Sequence, residues 1–179
     1  MIQLRRKGGD PDDALRLGEA LRAITGRRGA LLIVNDDVDL AIGCGADGVH
    51  LGPGDLSLSA ARKRAGASLI IGASCKGSLG LARAAADAGA DYVSFGALYP
   101  TATKPEASAC SPEIFAQARS EIPGVPLVAI GGITPRNAAE AAATGADAFA
   151  VCAGLFGEGS ITIAAKLLAK ELDGKRSLN

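Results

Sequence analysis

The sequence contains no tryptophan, one histidine, one methionine, two tyrosines and four phenylalanines. Aromatic platforms for stacking bases are therefore scarce, which argues against a binder of single-stranded nucleic acid. Charge of one sign is also missing, since 19 Lys plus Arg balance 19 Asp plus Glu for a formal net charge of +0. No overall field draws the chain to nucleic acid or to an anionic membrane, so any cationic site must be local. The four cysteines, Cys44, Cys75, Cys110 and Cys152, form no C-x-x-C pair and have no histidine at metal-ligand spacing. Neither a zinc site nor a disulfide framework is indicated, and reduced thiols in a cytoplasm are the simple expectation. Residues 1–7 lack the apolar stretch of a signal peptide, and no run approaches the ~20 apolar residues of a membrane-spanning helix. With one His and no activated Ser or Cys arrangement, nucleophilic triad chemistry has little support.

What is present is a globular balance of 48% apolar and 21% charged residues over 179 positions, a length that fits one domain spanning the chain. Short β-branched or apolar runs alternate with Ala-rich amphipathic segments, the pattern of parallel strands joined by helices. Seven strands are expected, at residues 2–4, 31–34, 48–51, 69–71, 92–95, 127–130 and 149–151. Asp10 and Pro11 open a first helix with Leu17, Leu21 and Ile24 on one face and Gly26 as its stop. Further helices are expected near 58–65, 79–88, 112–120, 135–143 and 161–172, with Ser78 and Thr134 as N-caps. The fold class is α/β, a TIM-type (β/α) barrel; seven strands against the usual eight predict that the first βα unit is lacking.

A weak repeat supports that layout. Gly45-Ala46-Asp47, Gly89-Ala90-Asp91 and Gly145-Ala146-Asp147 each follow a helical segment and precede a strand. The glycine can take the left-handed conformation that ends a helix, and the aspartate then sits at a strand start, the stability face of a barrel rather than its catalytic face.

Polar residues gather after the carboxyl ends of strands, where barrel enzymes place their chemistry. Gln3, Arg5 and Lys7 share one face of an extended segment, and three donors pointing one way suit a di- or polyphosphate. A solvated basic terminus is the plainer reading. Asp36, after the second strand, and Asp55, after the third, are placed to share a hard cation such as Mg²⁺, which takes one or two carboxylates plus water and phosphate. Helix capping competes, because Asp37 and Asp55 both lie just before helical segments. His50 lies inside a strand and reads as a partly buried structural histidine rather than a general base. The loop Tyr99-Pro100-Thr101-Ala102-Thr103-Lys104-Pro105 offers hydroxyls, a cation and amides that can wrap a phosphate, or it is a rigid surface turn. Gly131-Gly132 after one strand and Cys152-Ala153-Gly154 after the next present backbone amides as barrels do for phosphate, although tight packing uses glycine too.

Taken in order, Gln3-Leu4-Arg5-Arg6-Lys7, Asn35-Asp36, residues 45–52, Phe95-Gly96, residues 100–105 and Ala129-Ile130-Gly131-Gly132-Ile133 resemble the thiamine phosphate synthase family. The resemblance runs from Gln3 to about Phe156. It implies a transferase that joins 4-amino-2-methyl-5-hydroxymethylpyrimidine diphosphate to a thiazole phosphate, with Mg²⁺ as cofactor and pyrophosphate released. On that resemblance Arg5, Lys7, Ser74 and Lys104 are catalytic. Gln3, Arg5, Lys7, Asn35, Ser74 and Lys104 contact the pyrimidine diphosphate, and Asp36 and Asp55 ligate the metal. Thr101, Thr103, Gly132 and the backbone of Cys152 and Ala153 hold the thiazole phosphate. The sequence departs from the family pattern where Pro53 replaces a frequent Gln and Ala153 a frequent Ser. The implied partners are small-molecule substrates, with no nucleic acid and no membrane, and room is left for a homo-oligomer.

Three other readings compete. A thiazole tautomerase shares the fold but resembles an enzyme with a His where this sequence has Ser74-Cys75-Lys76. A catalytically inactive phosphate-ligand binder would follow from the altered loops. An aldolase would use Lys104 as a Schiff base, although a loop is a poor place to depress a lysine pKa.

Overall fold

The structure is a computed structural model that describes residues 1–101, 103, 108–157 and 159–173. Contacts group these into two compact units, the first made of Met1–Ser74 with Ala85–Asp91 and the second of Cys75–Ala84 with the described residues from Tyr92 onward.

In the first unit the order is β1 (Ile2–Leu4), α1 (Pro11–Arg27), β2 (Leu32–Asn35), α2 (Val38–Gly43), β3 (Gly48–Leu51), α3 (Leu58–Ala65) and β4 (Ile70–Lys76), the last two residues of β4 falling in the second unit. The strands pair in parallel in chain order, with Ile2 opposite Leu32, Ile33 opposite Gly48 and Gly48 opposite Ile70. Leu32, Ile33 and Val34 are all buried, so β2 is covered on both faces and reads as a continuous apolar run. Leu4, Leu32, Val34, Val49, Leu51 and Ile71 pack with Val38, Ala41 and Ala61 of the helices in one core cluster. Gly48 lets β3 and β4 approach, because a Cβ there would lie 2.5 Å from the Ile70 carbonyl oxygen.

Following α4 (Leu79–Asp87), the second unit carries β5 (Tyr92–Phe95), α5 (Ile114–Glu121), β6 (Leu127–Ile130), α6 (Ala138–Ala142), β7 (Ala148–Ala150), α7 (Ala153–Phe156) and α8 (Ile161–Asp173). Its strands also pair in parallel, Val93 opposite Leu127 and Val128 opposite Ala148. Phe95 and Phe115 are fully buried and meet edge to face, with centroids 5.5 Å apart and planes at 79°. Each buried ring stabilises by about 1.5–3 kcal/mol, and the edge contact adds about 0.5–1.5 kcal/mol.

The Gly-Ala-Asp repeat has one structural job, performed three times. The carboxylates of Asp47, Asp91 and Asp147 accept the amides of Leu32, Ile71 and Leu127 at 2.8, 2.7 and 2.7 Å. Their own amides donate back to the carbonyls of the same three residues. An arginine from the helix before each strand completes the strap: Arg22, Arg62 and Arg119 pair with the aspartates at 3.1, 2.7 and 2.7 Å and also donate to the carbonyls of Gly45, Gly89 and Gly145. All three glycines have positive φ, at 65°, 80° and 80°. The aspartates thus tie β2, β4 and β6, in alternate βα units, to the turn leading into the next strand, in keeping with a role in stability at the strands' amino ends.

Several element boundaries differ from the sequence reading. The first helix continues through Gly26 to Arg27, and Gly29, with φ 62°, follows it. Its packed face is Leu15, Gly18, Leu21 and Thr25, while Leu17 and Ile24 are exposed; Gly18 is needed because a Cβ there would meet Cys44 Cβ at 2.8 Å. Strand β4 runs on to Lys76, because pairing of Leu51 with Ala73 holds an extended backbone that Gly72-Ala73-Ser74 do not announce. Ser78 caps α4 by accepting from the Leu81 amide, as expected. Thr134 caps no helix. Residues 134–137 form a turn, with the Asn137 amide donating to the Thr134 carbonyl, and α6 begins only at Ala138.

Candidate active site

Gln3 lies in β1 and Arg5 and Lys7 just beyond its carboxyl end, all three exposed, as are Ile2 and Arg6, so exposure alone does not single out one face. Arg5 and Lys7 both lie close enough to Asp36 to stabilise its charged form. The three loops that follow β1, β2 and β3 therefore bring two cations and two carboxylates together within the first unit.

Asp36 is the unusual residue of that group. It follows directly on β2 with φ at +67°, a left-handed conformation that aspartate tolerates better than most residues and that marks a built position rather than an ordinary loop. Its amide donates to the carbonyl of His50 at 2.8 Å, which fixes the loop after β2 against β3. Its carboxyl is held above the ordinary aspartate range, first by desolvation and then by a hydrogen bond with Asp55 and the charge on Asp55; Lys7 and Arg5 oppose the rise. Asp55 is itself positioned by accepting the Gly52 amide at 2.6 Å.

The capping alternative is resolved by the neighbours. Asp37 caps α2 by accepting the Leu40 amide at 2.9 Å, and Ser57 caps α3 by accepting the Ala60 amide at 3.3 Å. The side chains of Asp36 and Asp55 are used for neither helix. Two adjacent carboxylates with cations beside them, one with its ionised form disfavoured, make a donor set suited to a hard divalent cation that leaves coordination positions for phosphate. Among the described residues, no group of three or more His, Cys, Asp or Glu is arranged to hold a metal ion by itself.

His50 is half-buried in β3, and burial lowers its pKa to about 4 even though Asp55 acts in the opposite sense. It is neutral at physiological pH and fits the structural role assigned from sequence. Asn35 ends β2 opposite His50, and Ser74 is half-buried near the end of β4. The Cys75 thiol is pushed up to about 12 by burial and is no nucleophile at neutral pH.

In the second unit the loop after β5 lies along the end of β6. Leu98 and Tyr99 amides donate to the carbonyls of Ile130 and Gly131 at 3.0 and 3.1 Å. Gly96 is required there, since a Cβ would lie 2.2 Å from the Ile130 carbonyl oxygen. The Thr101 hydroxyl accepts the Thr103 amide at 3.3 Å, a local turn within this loop. Lys104 lies outside the described residues.

Gly131 and Gly132, with φ at 101° and 64°, carry the chain past this loop; a Cβ on Gly132 would lie 2.5 Å from the Pro100 carbonyl oxygen. Among the described residues, the amides of Gly132 and Ile133 donate to no acceptor. Cys152 and Ala153 are exposed at the start of α7, and Gly154 packs α7 onto the turn after β6, where a Cβ would lie 2.2 Å from the Ile133 carbonyl oxygen. Thr101, Thr103 and Gly132 thus lie on loops tied to β5 and β6, and α7 seats Cys152 and Ala153 beside the Gly132 turn. Two surface concavities, one lined by Arg136, Ser160 and Leu167 and the other by Gly77, Glu113 and Gln117, contain none of these residues.

Sequence reasoning missed Asn137, whose side chain organises the turn after Gly132; its signal was an Asn three residues after an N-cap-type Thr with Pro between. It also missed the backbone strain at Asp36, which no residue pattern announces.

Comparison with known proteins fits this arrangement. The model of a family described as thiamine monophosphate synthase matches residues 1–155. A thiamine-phosphate synthase of Chromobacterium violaceum is 50% identical over 168 residues, 94% of this chain and 80% of that protein. One from Nitrosococcus oceani is 47% identical over 165 residues, 92% of this chain and 76% of that protein. The solved thiamine phosphate pyrophosphorylase of Pyrococcus furiosus superposes with a TM-score of 0.88 at 36% identity, covering 96% of this chain and 82% of that one. A 3-hexulose-6-phosphate synthase, at 18% identity and TM-score 0.68, shares the fold alone. The fold is α/β of the (β/α)-barrel type with seven strands among the described residues, where no helix is long and apolar enough to cross a membrane. By family match, identity and fold together, the chain belongs to the thiamine monophosphate synthase family.

Proposed function

We propose that the chain joins an aminopyrimidine methyl diphosphate to a thiazole phosphate, releasing pyrophosphate and forming thiamine phosphate. One observation carries the reading: Asp36 sits in a left-handed backbone conformation with its carboxyl hydrogen-bonded to Asp55, beside Lys7 and Arg5. The names of the relatives support it.

The first unit's loops bind the leaving group. Arg5 and Lys7 neutralise the diphosphate, Ser74 donates to it, and Gln3 and Asn35 orient the aminopyrimidine; Lys104, outside the described residues, is assigned to the same diphosphate on the family resemblance of the sequence alone. Asp36 and Asp55 would hold Mg²⁺, which would supply charge neutralisation to the leaving diphosphate. As the carbon–oxygen bond breaks, its electron pair leaves with the pyrophosphate, and the ring amino group stabilises the cation left on carbon. The neutral thiazole nitrogen then forms the new bond with its lone pair, so no protein nucleophile and no general base is needed. That accounts for a site whose one histidine is neutral and structural and whose Cys75 thiol is protonated. Donors fixed before reaction act only on charge that develops in the transition state, and each commonly contributes about 3–4 kcal/mol.

The second unit's loops bind the acceptor. Thr101 and Thr103 offer hydroxyls, and Gly132, Cys152 and Ala153 offer backbone amides to the thiazole phosphate. A backbone amide remains available whichever side chain it belongs to, so Ala153 retains its contribution at a position where the family pattern frequently has Ser.

Turnover of both substrates, followed as fluorescent thiochrome after oxidation of the product, tests the reading. Product forms with Mg²⁺, and Asp36→Ala lowers the Mg²⁺-dependent rate by roughly 10²–10³-fold. Equal rates with and without Mg²⁺ in the unaltered protein would remove the role given to Asp36.

A further inference from the structure

The turn after β6 is built around the side chain of Asn137. Asn137 is half-buried and stands at the N-cap position of α6, where an asparagine normally accepts an amide of its own helix. Here it makes no such bond. Its Oδ1 instead accepts the Thr134 amide at 2.7 Å and the Thr134 hydroxyl at 3.3 Å, and its Nδ2 donates to the Gly132 carbonyl at 3.0 Å. An amide group has one acceptor end and one donor end, and only this orientation satisfies both neighbours.

The side chain therefore closes a ring across residues 132–137 and holds the Gly132 carbonyl toward Asn137. Rotation of that carbonyl would swing the peptide that carries the Ile133 amide. Gly131 and Gly132 have no side chains to hold the turn, and both lie at positive φ, where glycine is free to move to other conformations. Tyr99 donates to the Gly131 carbonyl and α7 packs against Ile133, but among the described residues the Gly132 carbonyl between them is held by Asn137 alone. The peptide that presents the Ile133 amide needs a restraint of its own, and Asn137 is the side chain that supplies it.

We propose that Asn137 is a positioning residue for the acceptor's phosphate: it fixes the peptide between Gly132 and Ile133 so that the Ile133 amide, next to that of Gly132, points at the phosphate before it binds. The inference rests on the reading that this turn holds the thiazole phosphate. It assigns the helix cap's usual partner to the ligand loop, so the cost to α6 is borne for binding. Threonine at 134 shares the work, because its hydroxyl and amide converge on one oxygen.

The test is two-substrate steady-state kinetics on Asn137→Ala, with Gly132→Ala as the control for the phosphate site itself and thermal melts on both. Asn137→Ala is expected to raise KM for the thiazole phosphate about tenfold, the effect of one lost charge-assisted contact, with KM for the pyrimidine diphosphate and kcat within about twofold. Asn137→Asp keeps the acceptor for Thr134 but cannot donate to Gly132, and so is expected to match or exceed the alanine effect. A merely structural asparagine would lower the melting temperature without separating the two KM values, and that result overturns the proposal. If Gly132→Ala raises KM for the thiazole phosphate while Asn137→Ala does not, the phosphate site stands and the role of Asn137 falls. If Gly132→Ala also leaves that KM unchanged, the phosphate-site reading falls and the inference with it.

Discussion

Removing the carboxylate of Asp91 should destabilise the protein without touching its chemistry. The carboxylate accepts the Ile71 amide at 2.7 Å and pairs with Arg62 at 2.7 Å. Ile71 is 1% exposed, so Asp91→Ala leaves its amide without an acceptor in a dry environment, at about 1–3 kcal/mol. The ion pair is more exposed, with Arg62 at 29% and Asp91 at 46%, and contributes about 0.2–1 kcal/mol after screening. Together these predict a loss of roughly 1–4 kcal/mol, or on the order of 3–12 °C in melting temperature for a chain of this size. Asp91→Asn retains an oxygen for Ile71 and loses the charge, so it should cost only about 0.2–1 kcal/mol. Thermal melts by circular dichroism, with KM and kcat measured well below the transition, read both quantities. If the asparagine variant falls as far as the alanine variant, charge rather than the amide acceptor holds the strap and the reasoning fails. A changed KM would refute the separation of stability at the strands' amino ends from chemistry at their carboxyl ends.

Other perturbations follow from the same geometry. Asp36 ionises at higher pH in the folded, metal-free protein than in the unfolded chain, so its charge destabilises at neutral pH, and stability returns as pH falls through the folded pKa. Asp36→Asn, which tolerates the same backbone, should therefore raise the melting temperature in EDTA by about 0.5–4 °C, from roughly 0.2–1 kcal/mol, and abolish the rise produced by Mg²⁺; a variant that still responds to Mg²⁺ would contradict this. His50 has its pKa lowered to about 4, so the unfolded chain takes up a proton first as pH drops below about 6.5. Stability should decline by up to about 3 kcal/mol between pH 6.5 and 4, measured by urea unfolding, and His50→Gln should flatten that decline. Gly154→Ala places a Cβ 2.2 Å from the Ile133 carbonyl oxygen and should cost about 1–3 kcal/mol while weakening the acceptor's binding; unaltered melts and kinetics would show that α7 does not press on this turn.

Much of this was legible in the sequence because parallel strands buried on both faces are continuous apolar runs, and residues such as Leu32-Ile33-Val34 have no other plausible place. The strap aspartates were legible through their repetition, and the pairing of Asp36 with Asp55 through their position after successive strands. What stayed hidden was set by contacts between elements distant in sequence. The continuation of β4 depends on pairing with β3 rather than on the weak strand propensity of Gly72-Ala73-Ser74. Leu17 and Ile24 looked like the packed face of α1, yet the helix presents Gly18 and Thr25 to its neighbours, because only a glycine fits against Cys44. Thr134 and Asn137 are both good N-cap residues three positions apart, and only the geometry of the preceding glycines decides that neither caps α6 through its side chain.

The most direct test of the division of labour between the two sets of loops is initial-velocity kinetics with both substrates varied, on Lys7→Ala and Gly132→Ala side by side. Lys7→Ala should raise KM for the pyrimidine diphosphate and leave that for the thiazole phosphate unchanged, and Gly132→Ala should do the converse. If both variants shift the same KM, or if the pattern is reversed, the assignment of the departing diphosphate to the early loops and the acceptor's phosphate to the late ones is wrong.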